Sequence, residues 1–330
     1  MIRLKIKDPV RWPEHRSGWG YVLDALEVFN DESGILFDGN IDIKFGYSAA
    51  EKRKNNILPY REDWIGFIHS SVTQCPFMGK HATLDSILGC SEFIESLDKC
   101  KGIFTLSEYV ADYVRSKLNG AALVVGLKHP TEFPSTTFDL QKFKDSKKVV
   151  HIGNWLRRIS SFLRLKAPSY KKIMLLNPAT LGYLEDELNY GKRISFDLNS
   201  VDIRQHLAND EYDALLAESI VFIHLCDCGA VNTIIECMAR NTPILVNRIR
   251  PVIEYLGEDY PLYYSTLEEA EIKICDEEAI RNAHIYLLEF ERKYELSVEH
   301  FRRSFVNSRI IKSLSERTAG VSKPYRVSGR

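Results

Sequence analysis

Short apolar runs alternate with longer stretches of helical periodicity in the first part of the chain. The apolar runs predict strands at residues 2–6, 35–37, 41–43, 64–68, 103–106 and 122–125. Apolar residues recur at helical spacing over residues 21–29 and 108–118, and Ser107 is a suitable N-cap for the second of these helices. Strands that alternate with helices indicate a mostly parallel sheet that is covered on both faces.

The same alternation restarts after a polar stretch at residues 134–148, which is the best candidate for a linker. The pattern beyond it predicts strands at 149–152, 172–176, 220–225 and 243–246, and helices at 212–218, 232–240, 277–293 and 299–314. Asn241 tolerates the left-handed conformation that ends a helix. The sequence therefore predicts an α/β protein with two Rossmann-like domains, at residues 1–140 and 141–330, and a frayed end at 322–330.

Two doubly wound sheets side by side form a cleft between the carboxyl ends of their strands, and ligands of this fold class bind there. The dinucleotide fingerprint G-x-G-x-x-G is missing, because Gly18-Trp19-Gly20 supplies only its G-x-G part. The chain also has no G-x-x-x-x-G-K-[ST] motif, which disfavours a P-loop kinase or ATPase.

Composition narrows the class of protein without indicating its chemistry. The chain has 330 residues, of which 45% are hydrophobic and 27% are charged, as in a globular protein of about two domains. Its net charge of -1 argues against a protein whose main role is to coat nucleic acid. No apolar run approaches the ~18 residues that a membrane helix needs, and the alternating, charged N-terminus is not typical of a secretory signal.

The seven cysteines are odd in number and scattered, and only Cys226 and Cys228 lie close together in sequence. A C-x-C pair without a second pair is not a zinc site, and we expect no metal site. We therefore expect free thiols and a reducing, cytoplasmic location, with peripheral attachment to a membrane surface left open.

The most informative segment is residues 215–256. A predicted strand ends there in a turn of small residues, and the next helix reads Glu236-Cys-Met238-Ala239-Arg-Asn241-Thr242-Pro243. This order and spacing resemble the nucleotide-sugar segment of the GT-B glycosyltransferases, particularly the retaining family 4 type, which reads Glu-Ala-Met-Ala-x-Gly-Thr-Pro. Asn241 replaces the usual glycine, and Glu254 matches a later glutamate of that family.

Weaker matches extend the resemblance from about residue 15 to residue 257: His69 ends a strand, Ser107-Glu108 opens a helix, and Gly153 precedes a basic pair. The resemblance implies two domains facing a cleft, with the last helix packing back on the N-terminal domain. It also implies a retaining, metal-independent transfer of a sugar from a nucleotide-diphosphate donor to a hydroxyl of a glycan, a lipid-linked acceptor or a small molecule. No cofactor besides this donor substrate, no nucleic-acid partner and no transmembrane segment is expected.

Four residues of this segment are candidates for binding the donor. The helix that begins near Asn232 would direct its N–H groups and its dipole toward the cleft, which suits a diphosphate, and Thr233 is small enough for phosphate to approach the backbone. Glu236 lies about one turn further and suits hydrogen bonds from ribose hydroxyls. By resemblance, Glu254 also faces the donor. The alternative is an ordinary buried helix in which Asn232 is only an N-cap.

Arg157 and Arg158 are the candidates for stabilising the leaving diphosphate, because arginine makes bidentate contacts with phosphate. In the resembling family a basic pair after a glycine, here Gly153, neutralises the donor's diphosphate. The family's Gly-Arg is Gly-Asn in this chain, so either arginine could take the role. The alternative is a solvated basic loop that also contains Arg164 and Lys166.

Further candidates lie in the N-terminal domain. His69 follows an apolar strand at the edge that faces the cleft, and by resemblance it contacts the transferred sugar. Gly18 and Gly20 would let the backbone approach the donor closely, and Arg16 and Trp19 could add a phosphate contact or a stacking face. The alternatives are a histidine that only caps its strand and an ordinary turn between a strand and a helix.

Cys228 stands where the resembling family usually carries a second glutamate, eight positions before Glu236, and Asp227 beside it could substitute. That glutamate normally lies by the sugar ring, so the identity of the sugar is open. Two other classes of protein remain. A GT-B-like protein that binds a nucleotide sugar or a partner without catalysis is favoured by Cys228, whereas a NAD-dependent dehydrogenase is disfavoured by the missing glycine fingerprint.

Overall fold

A five-stranded parallel sheet forms the first half of the computed structural model, which describes residues 2–7, 17–78, 83–190, 200–205 and 207–321. Its strands pair in the order β1-β2-β3-β4-β5. They are β1 (Leu4–Ile6), β2 (Ile35–Asp38), β3 (Trp64–Ile68), β4 (Cys100–Thr105) and β5 (Val124–Gly126). The helices between them are α1 (Trp19–Leu26), α2 (Ala49–Lys54), α3 (Leu84–Leu88), α4 (Ser91–Ser96) and α5 (Glu108–Leu118).

A six-stranded parallel sheet forms the second half, in the order β11-β10-β9-β6-β7-β8. Its strands are β6 (Lys148–Ile152), β7 (Lys171–Leu175), β8 (Asp202–Arg204), β9 (Ser219–Ile223), β10 (Ile244–Asn247) and β11 (Tyr263–Tyr264). Its helices are α6 (Leu140–Ser146), α7 (Ile159–Arg164), α8 (Pro178–Tyr190), α9 (Asn209–Ala217), α10 (Asn232–Arg240), α11 (Arg250–Leu256), α12 (Leu267–Cys275) and α13 (Glu277–Glu289). The order of the strands reverses between β6 and β9, as in a doubly wound sheet.

Both faces of the first sheet are covered, because successive side chains of a strand point to opposite sides. Trp64 and Ile68 of β3 pack in the core that includes Val110 of α5. Ile65 and Phe67 of the same strand pack in a second core that includes residues of α1. The predicted fold class, with two parallel α/β sheets, is confirmed. The expectation that both sheets are doubly wound holds for the second sheet only, because the strands of the first sheet follow the chain order from β1 to β5 without a reversal.

The last two helices, α14 (Val298–Asn307) and α15 (Arg309–Val321), return to the first sheet. Phe301 and Phe305 of α14 and Ile310 of α15 share a core with Leu4 and other residues of that sheet. Gly102 of β4 makes the close approach of α15 possible, since a Cβ built there would lie 2.5 Å from Ile310 Cγ1. The sequence pattern predicted a single helix at 299–314, but the chain breaks it at Ser308, whose hydroxyl accepts a hydrogen bond from the Ile311 N–H.

Two further elements differ from the prediction. Residues 41–43 are not a strand: Ile41 caps a π-helix, Asp42–Tyr47, and the Asp42 carboxylate accepts hydrogen bonds from the backbone N–H groups of His69 and Ser70, which follow β3. The polar stretch at 134–148 is not an unstructured linker: it contains α6, which is capped by Asp139 and anchored by the buried rings of Phe138 and Phe143. The predicted frayed end at 322–330 lies outside the described residues.

The expectation that all the cysteines are free thiols is wrong for one pair. Cys75, in the loop after β3, forms a disulfide with Cys226, in the loop after β9. The other five cysteines are free. The two partners lie 151 positions apart in the chain, and only the fold brings them together.

We propose that the boundary between the two predicted domains lies at residues 133–137, which are largely exposed and carry no helix or strand. Limited proteolysis of the native protein is therefore expected to cut first in this segment, because exposed polar backbone is the preferred site of nicking. The fragments should run as two bands on a reducing gel and as one band on a non-reducing gel, since the Cys75–Cys226 disulfide joins them. A first cut within α6 would contradict the proposal.

Candidate functional site

The second sheet places two loops side by side where its strand order reverses. The loop that contains Gly153 and Arg157 follows β6, and residues 224–231 follow β9, the neighbour of β6. The carboxyl ends of the strands at such a reversal form the crevice in which ligands of doubly wound proteins bind. Asn247, at the end of β10, fixes the second loop, because its side-chain amide accepts a hydrogen bond from the Leu225 N–H (2.7 Å) and donates one to the Leu225 carbonyl (2.9 Å).

Arg157 is buried at this crevice, with 8% of its surface exposed. Its guanidinium donates hydrogen bonds to the Trp155 carbonyl (2.8 Å) and to Thr233 Oγ1 (3.1 Å), whereas its Nε–H has no hydrogen-bond partner among the described residues. Burial lowers the pKa of Arg157 to about 10, so the side chain still carries its positive charge at pH 7. A buried cation with an N–H left over can bind an anion.

Because Gly153 has no side chain, the guanidinium of Arg157 can pack against its backbone. Its φ of +82° lies in the left-handed region that favours glycine, and a Cβ built there would lie 2.9 Å from Arg157 Cζ. The turn after β6 therefore requires glycine for two reasons, its backbone conformation and the position of the arginine.

Substitution of Gly153 by alanine is expected to destabilise the protein by about 1–3 kcal/mol, since the new methyl group strains the backbone and displaces Arg157. Thermal unfolding measures this loss. The matched control is Gly182→Ala in α8, where a Cβ meets nothing within 4 Å. That change should instead stabilise the helix by about 0.5–1 kcal/mol. A Gly153→Ala protein that melts with the wild type would contradict this account.

The first turn of α10 lies against Arg157 through Thr233, and Asn232 is the first residue of the helix. The predicted bounds of this helix, residues 232–240, are confirmed, and so is its left-handed end at Asn241, with a φ of 56°. Helix N-termini carry unpaired N–H groups and a partial positive charge. The dipole of α10 and the charge of Arg157 therefore add at one place.

Glu236 lies one turn further along α10 and is buried, with 4% of its surface exposed. Its carboxylate accepts a hydrogen bond from the Tyr212 hydroxyl of α9 (2.5 Å), and burial together with this carboxylate raises the pKa of Tyr212 well above its usual value. The structure thus brings four predicted residues, Gly153, Arg157, Thr233 and Glu236, around one end of α10. The contact of Tyr212 with Glu236 could not be predicted from the sequence, because α9 and α10 are brought together only by the fold.

Arg158 is placed differently from Arg157. It is half-buried at the start of α7, and its backbone N–H donates a hydrogen bond to the His224 carbonyl. Burial, together with the nearby charge of Arg158, lowers the pKa of His224 to about 4. Of the predicted basic pair, Arg157 contacts α10 in the described structure, and Arg158 lies beside the end of β9.

His69 follows β3 on the other side of the cleft. Its backbone N–H donates a hydrogen bond to Asp42 (2.7 Å), its Nε2–H donates one to the Gly39 carbonyl (3.0 Å), and its ring meets the Trp19 ring edge-on at 4.2 Å. Burial lowers the pKa of His69, which favours the neutral ring. Gly18 caps α1 and Gly20 is its second residue, so both flank the tryptophan that packs on His69. Arg16 lies outside the described residues.

Two carboxylates from the second half of the chain accept hydrogen bonds from the first half. Glu254 of α11 accepts hydrogen bonds from the N–H groups of Glu108 (2.8 Å) and Tyr109 (3.0 Å), at the start of α5. Asp227 accepts hydrogen bonds from the N–H (2.7 Å) and the hydroxyl (3.0 Å) of Thr73. The prediction that Glu254 contacts the donor stays a prediction, and each of its two carboxylate oxygens already accepts one hydrogen bond from the start of α5.

Solved structures share this architecture across most of the chain. Sucrose-phosphate synthase from Thermosynechococcus elongatus superposes with a TM-score of 0.61 at 12% identity, covering 92% of this chain and 78% of that one. HepE from Anabaena, in complex with UDP, gives a TM-score of 0.55 at 9% identity, covering 92% and 82%. TarM from S. aureus, in a complex that includes UDP, gives 0.51 at 15% identity and covers 87% of this chain.

This chain spans about half the length of TarM, since the match covers 55% of that chain. No protein-family model matches the sequence, and no curated protein matches it either. The structural matches show the fold, which is the GT-B fold of the glycosyltransferases.

The described residues contain neither a candidate membrane helix nor a candidate metal site. Within these residues no helix combines the length and the apolar character needed to cross a bilayer. The same part of the chain contains no group of three or more histidine, cysteine, aspartate or glutamate side chains arranged to hold a metal ion.

Proposed function

We propose that this protein is a glycosyltransferase that moves a sugar from a nucleoside-diphosphate donor to a hydroxyl acceptor. The observation that supports it is the position of Arg157, a buried cation with an unpaired Nε–H among the described residues, against the first turn of α10. This pair lies at the strand reversal where doubly wound proteins bind their ligands. The solved structures of two proteins with the same fold, HepE and TarM, contain UDP.

The diphosphate of the donor would lie at the end of α10, next to Arg157. As the bond between the sugar and the phosphate breaks, negative charge grows on the leaving diphosphate. A cation and helix N–H groups that are already in place stabilise that charge without reorganisation, and they act more strongly on the transition state than on the bound donor. Glu236 would hold the ribose hydroxyls, and His69 would contact the sugar from the opposite side of the cleft.

The finer assignments follow the resemblance. The proposed reaction is retaining, and it is metal-independent because Arg157 and α10 provide the positive charge that a metal ion supplies in other transferases. The acceptor is a hydroxyl of a glycan, a lipid-linked molecule or a small molecule, and the proposed location is the cytoplasm, in solution or at a membrane surface.

The test is a screen of nucleoside diphosphates and nucleotide sugars with the full-length protein. UDP is expected to raise the melting temperature, because a ligand that binds only the folded state stabilises it by mass action. A nucleotide sugar of the same base should be cleaved, with hydrolysis counted as activity where no acceptor is known. In this screen Arg157→Ala should lose the stabilisation by UDP. Arg248→Ala is its matched control, since this exposed arginine pairs with Glu258 at the surface. Binding without cleavage would support a non-catalytic binding protein, and neither binding nor cleavage would refute the proposal.

A further inference from the structure

The Cys75–Cys226 disulfide joins the two sheets across the proposed donor site. Cys75 belongs to the loop that continues from β3 and His69, and Cys226 belongs to the loop between β9 and α10. The Cys226 N–H donates a hydrogen bond to the carbonyl of Leu156, the neighbour of Arg157 in sequence. The disulfide, called here the cross-cleft disulfide, therefore connects the loop of the predicted sugar-side histidine to the loops that hold the predicted phosphate site.

The two loops are in contact around this bond. A Cβ built on Gly229, three residues after Cys226, would lie 3.4 Å from the carbonyl oxygens of both His69 and Ser70. Asp227 holds Thr73 by two hydrogen bonds. Apolar side chains from both halves, including Met78 and Leu156, pack around Cys75. A donor whose phosphate lies at Arg157 and whose sugar lies at His69 would lie beside these two covalently joined loops.

We propose that the cross-cleft disulfide is a redox switch of this site: when oxidised it holds the two loops together, and when reduced it lets them separate and admits the donor. That the admitted ligand is a nucleoside-diphosphate donor rests on the proposed function, whereas the separation of the loops on reduction is independent of it.

The chemistry is a thiol–disulfide exchange with a dithiol. One thiolate of the dithiol attacks Sγ of Cys226, which is partly exposed, whereas Cys75 is 1% exposed. The disulfide bond breaks, and Cys75 leaves as a thiolate that takes up a proton. The second thiolate of the dithiol then attacks the mixed disulfide, which releases Cys226 as a thiol. The dithiol loses two electrons and two protons to become a disulfide, and the protein gains both.

The first experiment needs no nucleotide. Differential alkylation and peptide mapping of the full chain should find Cys75 and Cys226 linked before treatment with dithiothreitol and both alkylated after it. Hydrogen exchange of residues 71–78 and 224–231 should become about tenfold faster on reduction, because local opening sets the exchange rate. Strand β7, away from the cleft, should be unchanged.

The variants control for side effects of the reductant. Cys226→Ser should show the fast exchange without dithiothreitol, and Cys275→Ser, which removes an exposed free cysteine, should behave as the wild type in both states. If Cys226→Ser does not fold, the reduced wild type supplies the same comparison. Both cysteines alkylated in the untreated protein, or loops whose exchange does not respond to reduction, would overturn the proposal.

The second experiment separates this inference from the proposed function. UDP should associate with the reduced protein about tenfold faster than with the oxidised protein in stopped-flow measurements, since only the open state admits ligand. Equal association rates would overturn the switch as a control of the site. If UDP binds neither form, the proposed function fails, and the hydrogen-exchange experiment alone decides whether the disulfide holds the loops together.

Discussion

The Arg157→Ala variant is expected to turn over the correct nucleotide sugar about 10² to 10³ times more slowly than the wild type. This is the typical effect of removing one preorganised hydrogen-bond donor that stabilises the transition state. The charge that Arg157 meets grows only as the glycosidic bond breaks, so the loss should fall mainly on kcat. Steady-state kinetics, with hydrolysis as the readout where the acceptor is unknown, measures it.

Two further variants make the test specific to the guanidinium. Arg157→Lys should recover part of the rate, because lysine keeps the charge but not the planar set of N–H donors. Arg158→Ala should lower turnover less than Arg157→Ala does, because Arg157 is the arginine that donates a hydrogen bond to Thr233. The double variant tests whether the two arginines share the role. Full turnover by the double variant would remove the phosphate role from both.

Loss of the Glu236 carboxylate is expected to weaken UDP binding by about 1.5–3 kcal/mol, the range for hydrogen bonds to a charged group. This corresponds to a dissociation constant about 10- to 150-fold higher for Glu236→Ala, measured by calorimetry. The effect should be the same for UDP and for a UDP-sugar, because the contact is to the ribose.

Tyr212→Phe is the control for Glu236, since it removes the hydroxyl that donates to this carboxylate and leaves the carboxylate in place. Its effect on UDP binding should be smaller than that of Glu236→Ala. Equal affinity of Glu236→Ala and the wild type for UDP would show that the ribose contact is assigned to the wrong residue.

The features that could be predicted are those encoded by neighbouring residues. Helix α10 begins at Asn232 and ends before Asn241, as predicted, because its apolar period and its left-handed end are local signals. The N-cap of α5 is a second case: the Ser107 hydroxyl accepts a hydrogen bond from the Val110 N–H. Parallel strands followed by polar residues also sufficed to place His69 and Gly153 at strand ends.

The features that were missed depend on contacts between distant parts of the chain. Asp42 lies in a short apolar run that fits a strand and a helix equally well. Its carboxylate accepts a hydrogen bond from the His69 N–H, a long-range contact that could not be predicted from the sequence. The pairing of Cys75 with Cys226 and the capping of α5 by Glu254 are of the same kind. Asn247 had a usable signal, since it directly follows a predicted strand at its carboxyl end.

The return of α14 and α15 to the first sheet has a consequence for how the protein is made. The core that contains Leu4 and Phe67 also contains Phe301 and Ile310, so this side of the first sheet is covered in part by residues that are synthesised much later. A nascent chain emerges from the ribosome at about 5–20 residues per second, so of the described helices α1 alone covers this face of the first sheet for many seconds before α14 and α15 complete the core. The N-terminal half is therefore the part of the nascent chain on which we expect chaperones to act.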